Sequence, residues 1–314
     1  MLEDEIITKI LKKAGYPSLL SDLESRLSMS EINSLLLELF KIKTKGMNPA
    51  ELLRQYTQNR FTNPSCIDPV LSYRFSADLL EAAKKAGYTA LELSPVTAFG
   101  SCSVIARVDQ NKVLSALRGT EVVSDVTNAL ALHIACLKSR GGFKNAECWK
   151  TECLRYCAVH RHIRTQKFQG KNMLSHFQLF GMVISGTDGG NFKFEKEALG
   201  ETLDFYRDYL SAQNYVSNLR FIIWPRTGVS GNFTEDILTF LQAHNFLNIS
   251  EEKAPSENDY YRGLQFKIRA SIGDTEFEVG DGGFVDWPEK LLQNKKERML
   301  ISGIGLEPLM KMKI

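Results

Sequence analysis

The chain has 314 residues, 43% of them hydrophobic and 24% charged, with 39 Lys and Arg against 37 Asp and Glu. A formal net charge of +2 gives bulk electrostatics no part in holding nucleic acid or a membrane surface, and no apolar run reaches the ~20 residues of a membrane span. Six cysteines in so long a chain read as reduced thiols, and the acidic start Met1-Leu2-Glu3-Asp4-Glu5 is no secretory signal, so a cytoplasmic protein is expected.

Residues 1–60 form an N-terminal helical region. Ser28-Met29-Ser30-Glu31 is a capping box ahead of Ile32, Leu35, Leu36, Leu39 and Phe40, which share one helix face. Asn48-Pro49 supplies an N-cap and a first-turn proline before Leu52, Leu53 and Tyr56. Arg60 to Pro69, with Asn63-Pro64 and Asp68-Pro69, punctuates the chain, and residues 61–74 are expected to link this region to a core over 75–314. There Ser76–Ala86 reads as a helix closed by Gly87, and Tyr88–Leu93 as a strand stopped by Ser94-Pro95. Val104–Val108 and Lys112–Leu117 suggest a hairpin around Asp109-Gln110-Asn111, and Asn128–Leu137 an apolar helix. Further strands are expected at Phe177–Ile184, Leu219–Trp224, Gln265–Ala270 and Thr275–Val279, with helices at Glu195–Ala212 and Thr234–His244. Hairpins with helices between them define an α+β class, a mostly antiparallel sheet flanked by helices.

Three clusters carry the polar chemistry. Arg118 to Asn128 places Arg118, Glu121, Asp125 and Thr127 between a strand and an apolar helix; one of them suffices as the N-cap, and a carboxylate and hydroxyl here suit a substrate ammonium group. His160-Arg161-His162-Ile163-Arg164-Thr165-Gln166-Lys167 precedes Ser175-His176-Phe177. Alternation sets Arg161 and Ile163 on one strand face and His160, His162 and Arg164 on the other. Arginine forks suit phosphate, and Phe177 suits a planar base; Lys167 and Lys171 fit a solvated basic hairpin. An RNA-contacting loop is a further use of such a hairpin. The third cluster runs from Asp259-Tyr260-Tyr261 into a strand, through a glycine turn Gly280-Asp281-Gly282-Gly283, to the small-residue strand Gly303-Ile304-Gly305 and Glu307. Paired glycines there allow close approach of a ligand, and the flanking acids and tyrosines would fix a small polar molecule. Cys148, Cys153, Cys157, His160 and His162 lack the paired Cys-x2-Cys spacing of structural zinc sites, so no metal site is expected from them.

Taken together, these motifs resemble the catalytic core of class II aminoacyl-tRNA synthetases, in the branch of histidyl-tRNA synthetase and the regulatory subunit of ATP phosphoribosyltransferase, including uncharacterised bacterial paralogues. The helix Ala77–Ala86 with the strand ending at Pro95 resembles the first motif, which implies a homodimer. Arg161, Arg164, Gln166 and Phe177 resemble the second, which implies that Arg161 holds the α-phosphate of ATP and acts as the catalytic cation while Phe177 stacks on adenine. Asp125 and Thr127, with Glu121 near them, resemble the amine-binding acid and threonine. Asp259, Tyr260, Tyr261, Asp281, Gly282 and Gly283 resemble the substrate strand and its glycine-rich partner, and Gly303 to Glu307 the third motif.

The pattern is broken at three places. Ile163 stands where the second motif has glutamate, Pro308 where the third has arginine, and Ser256 where a histidyl enzyme carries a catalytic arginine. Arg298 is the nearby candidate to replace the third-motif arginine. Only six residues follow Pro308, so no anticodon-binding domain is expected and tRNA is not the expected acceptor. The resemblance therefore implies ATP, with Mg2+, activating an amino acid or similar carboxylate for a non-tRNA acceptor. The alternative is a non-catalytic, amino-acid-binding regulator with a protein partner; an RNA-binding module is the third possibility.

Overall fold

Four helices lead the chain: α1 (Leu2–Ala14), α2 (Leu19–Arg26), α3 (Met29–Lys45) and α4 (Pro49–Gln58). The structure, a computed structural model, describes residues 2–141, 153–166, 175–229, 231–246, 248–273 and 275–312. The capping box forms as expected: Glu31 N donates to Ser28 Oγ at 3.3 Å, and Ser28 N donates to Glu31 Oε2 at 2.7 Å. Asn48 caps α4, accepting from Glu51 N at 2.9 Å. No residue of α2, α3 or α4 is buried, so their apolar residues, Leu35, Phe40 and Leu53 among them, remain exposed.

Helix α5 (Pro69–Lys85) starts seven residues before the predicted Ser76, because Asp68 accepts from Leu71 N at 2.8 Å and Pro69 needs no donor at N1. Residues 69–74 of the expected linker are therefore helical. Arg60 ties the preceding segment to the body, donating to Gln166 O at 3.0 Å, to Ser175 Oγ at 2.9 Å and to Thr165 O.

The predicted strand Tyr88–Leu93 contracts to β1 (Thr89–Ala90). The expected hairpin over 104–117 is not formed. Instead β2 (Val96–Ala98), β3 (Ser115–Ala116) and β4 (Thr120–Val122) make a small sheet, with a π-helical turn at Ser101–Ile105 and a 3-10 turn at Gln110–Lys112 between. The physical reason is Glu121. Its buried carboxylate accepts from Gly100 N at 2.9 Å, Ser101 Oγ at 2.6 Å, Cys102 N at 3.0 Å and Gln110 Nε2 at 3.0 Å, which folds the segment around a charge that needs partners.

The remaining elements are α6 (Val126–Ser139), β5 (Leu154–Ile163), β6 (His176–Thr187), α7 (Lys193–Ser211), β7 (Ser217–Pro225), α8 (Phe233–Ala243), β8 (Ile249–Glu251), β9 (Leu264–Ile272), β10 (Thr275–Phe284), α9 (Trp287–Leu292), β11 (Glu297–Gly305) and α10 (Leu306–Met312). Eight strands form one sheet in the order β1-β5-β6-β11-β10-β9-β7-β8. Its six central strands are antiparallel, and the short edge strands β1 and β8 pair in parallel. The α+β expectation is met.

Alternation along the strands divides the core into two layers. Cys157, Phe180, Met182, Ile184, Phe266 and Ile304 face one side with α5, α7, α8 and α10. Ala158, Val183, Ile301 and Met299 face the other with α6 and Trp287 of α9. Gly181 lets α6 lie close on that second face, since a Cβ there would sit 2.2 Å from Val126 Cγ1. The open end of this face, beyond the N-terminus of α6, is the candidate site.

Candidate functional site

Helix α6 begins at the site with Asp125 as its N-cap. Asp125 Oδ1 accepts from Thr127 N at 2.9 Å and Thr127 Oγ1 at 2.7 Å, and Oδ2 accepts from Tyr260 Oη at 2.8 Å. Tyr260 packs edge-on to Trp287 and Tyr261. Burial, reinforced by Asp125, holds the Tyr260 phenol well above its ordinary range; burial and Asp281 do the same for Tyr261. Both tyrosines are thus neutral donors clamped to carboxylates. Asp281 also accepts from Gln265 Nε2 at 3.0 Å and from Lys267 Nζ at 3.2 Å.

These groups border a cleft of about 680 Å³. Its floor is Leu179, Ile301, Gly303 and Gly305; its rim is Asp125, Thr127, Arg164, Phe177, Tyr261, Asp281, Glu307, Pro308 and Lys311. Arg164 holds its guanidinium 5.2 Å from the Phe177 ring centroid while Nε donates to Ser124 O at 3.2 Å. A polar chamber of about 380 Å³ adjoins the cleft and shares Asp125, Arg164, Tyr260, Tyr261 and Asp281 with it; Gln166 lies on its wall.

The glycine turn read from Gly280 to Gly283 is strand β10, and its glycines accommodate protein rather than ligand. A Cβ on Gly282 would lie 2.5 Å from Phe266 Cζ, and one on Gly283 would lie 2.6 Å from both Leu264 O and Tyr261 Cδ1. The room for a ligand is over Gly305, where a Cβ would meet only Leu179 and Pro308 at 3.9 Å. Similarly, residues 259–263 precede β9 instead of opening it.

Asp125, Thr127, Tyr260, Tyr261, Asp281, Arg164, Gln166, Phe177 and Glu307 come together around the cleft and chamber. Besides Gly282 and Gly283, four expected site residues do not. Arg161 shares the opposite sheet face with Cys157 and Ile163; it meets Glu307 Oε1 at 3.2 Å and His176 Nδ1 at 3.0 Å and lines a separate cavity beside Asn63 and Ser72. Glu121 is spent on the π-helical turn. Asp259 is exposed, 3.7 Å from Arg107. Arg298 sits at the far end of β11, bound to Asp188 at 2.7 Å and Glu195 at 3.1 Å, so it does not replace the third-motif arginine. Among the described residues no group of three or more His, Cys, Asp and Glu could hold a metal; Cys148, like Lys167 and Lys171, lies outside them.

Residues that the sequence reading passed over also build the site. Lys311, one turn after Glu307 on α10, reaches the cleft, and helical spacing alone could have found it. Arg226 could not have been found that way. It is buried just after β7, donating to Gln265 Oε1 at 3.1 and 2.5 Å and to Ser256 O at 2.5 Å. A guanidinium therefore stands beside the Ser256 backbone, supplied from another strand. His162 takes the strand position on the Phe177 side, its ring 6.1 Å from that of Phe177.

No family model matches the chain, and no curated protein matches it by sequence. Solved structures do match. Apo histidyl-tRNA synthetase of S. aureus superimposes with a TM-score of 0.56 at 13% identity, covering 78% of this chain and 67% of that one. An ATP phosphoribosyltransferase regulatory subunit/histidyl-tRNA synthetase from Bacillus halodurans gives 0.56 at 11% identity, over 77% and 80%. A histidine–tRNA ligase subunit from Alicyclobacillus acidocaldarius gives 0.55 at 13% identity, over 80% and 96%. The fold is that of class II synthetase-like proteins. Among them the chain is similar in fold both to histidyl-tRNA synthetase and to the regulatory subunit. No described helix is long and apolar enough to cross a membrane.

Proposed function

We propose that this chain binds an amino acid, or a similar amine-bearing carboxylate, at the Asp125–Tyr260 end of the cleft and ATP on the Phe177–Gly303–Gly305 floor, and joins them as an acyl-adenylate for a non-tRNA acceptor. The observation that carries this reading is the continuity of the two ends. One cleft combines a carboxylate locked by three hydrogen bonds, an aromatic ring with a guanidinium over it, and a floor with room for a ligand over Gly305. In the reaction a carboxylate oxygen attacks the α-phosphorus, the bond to the bridging oxygen breaks, and pyrophosphate leaves. Arg164 is the rim cation placed to offset charge developing on the phosphorus, and alignment of the two bound substrates supplies the rest. Mg2+ usually rests on one or two carboxylates plus substrate phosphates; Glu278 and Glu307 stand on the cleft wall, but Lys267 holds the first at 2.7 Å and Arg161 the second at 3.2 Å, so each would hold the ion only by releasing its cation.

A regulatory reading has an observation of its own: Pro308 occupies the rim where a phosphate-binding arginine is expected, and Arg161 faces away. Under that reading the Asp125–Tyr260 end binds the amino acid and a protein partner responds to it. Both readings share the amino-acid end. Calorimetry on Asp125→Asn tests it: amino-acid affinity should fall while ATP affinity is kept. Unchanged amino-acid affinity in that variant would remove the assignment.

A further inference from the structure

The polar chamber behind the Asp125–Tyr260 pair holds a group that none of the described residues satisfies. Asn128 projects into it from the first turn of α6 and is only 1% exposed. Its Nδ2 donates to Cys102 Sγ at 3.2 Å, while Oδ1 has no partner among the described residues. A buried carbonyl left unpaired is destabilising, and a donor on a ligand would satisfy it.

Beside it, Cys102 Sγ lies 2.9 Å from Ser124 Oγ. Burial pushes the Cys102 thiol up to about 11, so it is neutral and keeps its proton. Asn128 donates to the sulfur, and between Cys102 Sγ and Ser124 Oγ either atom can be the donor. The back wall therefore offers an acceptor, Asn128 Oδ1, and a hydroxyl, Ser124 Oγ, that can donate or accept, with no formal charge on either. Toward the mouth, two carboxylates, Asp125 and Asp281, face two cations, Lys112 and Arg164. Asp281 is already paired with Lys267 at 3.2 Å and Arg164 is turned to the nucleotide end, so Asp125 and Lys112 are left to meet the ammonium and carboxylate of a zwitterion, with no charged group of the back wall left for its side chain.

We propose that the amino acid places its side chain against this back wall, and that the side chain is an uncharged polar group, a hydroxyl or a carboxamide, bonded to Asn128 and Ser124. A carboxylate would meet the unpaired carbonyl with like polarity. An ammonium would be buried against neutral groups with no counter-charge, and an apolar chain would leave both wall groups unsatisfied. The inference rests on the amino-acid reading of the cleft.

The test is calorimetry of the full chain with Mg-ATP present, across serine, threonine, asparagine and glutamine on one side and aspartate, glutamate, lysine, leucine and phenylalanine on the other. Binding is expected from the first group only. Asn128→Ala and Ser124→Ala should each weaken it about 3- to 10-fold, one lost hydrogen bond, with melting temperature and ATP affinity recorded to show that each variant is folded. The wild-type panel decides the matter even if a variant fails to fold. Preferential binding of a charged or apolar amino acid would overturn the inference and leave the amino-acid site standing. Binding of none would overturn the amino-acid site, and this inference with it.

Discussion

Two glycines on adjacent strands separate ligand space from packing space. At Gly305 a Cβ meets Leu179 Cδ2 and Pro308 Cδ at 3.9 Å, ordinary contact distances. Gly305→Val therefore puts three carbons over the cleft floor without displacing protein. Because β-branched residues suit strands better than glycine, by up to ~1 kcal/mol, the variant should melt at the wild-type temperature or slightly above. At Gly282 the same Cβ would lie 2.5 Å from Phe266 Cζ and 2.6 Å from Ile301 O, and a strand carbonyl cannot move aside. Gly282→Ala should cost about 1–3 kcal/mol, the usual range for overpacking. The assay pairs thermal melting with ATP calorimetry. Gly305→Val should lose ATP binding with its stability intact, and Gly282→Ala should lose stability. Wild-type ATP affinity in folded Gly305→Val would refute the placement of the nucleotide on this floor.

Arg164→Ala should lower ATP affinity at least tenfold, whereas Arg161→Ala should act mainly on stability, by about 1 kcal/mol, through the half-buried pair with Glu307; the reverse order by calorimetry would restore Arg161 to the site. Burial holds the His162 imidazole well below its ordinary 6.5, so the unfolded chain binds its proton first. Stability from this residue is complete above pH 6.5 and falls as pH drops below it, by at most about 1.4 kcal/mol per pH unit. His162→Phe should flatten that slope in denaturant melts between pH 7 and 5, and an unchanged slope would count against it. Helix α5 leaves Val70 and Tyr73 54% and 72% exposed, and we expect this face in a twofold dimer. Light scattering should give a dimer mass that Tyr73→Glu reduces to a monomer; a wild-type monomer at all concentrations would contradict this.

Local chemistry made much of the fold legible. The capping box at Ser28, the Asn48-Pro49 start and the strand patterns from Phe177 onward depend on neighbours in sequence, and they fold as expected. The stretch from 96 to 122 misled because its organiser, Glu121, gathers donors from up to 21 residues away, which periodicity does not record. At the site, alternation correctly separated Arg161 from His162, yet parity says nothing about which sheet face carries the candidate cleft. That is decided by where α6 lands, through Gly181 and Val126, a contact between distant segments. Arg226 was illegible for the same reason: its relation to Ser256 exists only across strands.

The central claim is adenylate formation in this cleft, and amino-acid-dependent exchange of pyrophosphate into ATP measures it most directly. Exchange that requires one of the neutral polar amino acids, and is lost in both Asp125→Asn and Gly305→Val, is the predicted result. An absence of exchange from folded protein saturated with ATP and with an amino acid it demonstrably binds would contradict the claim and leave the regulatory reading in its place.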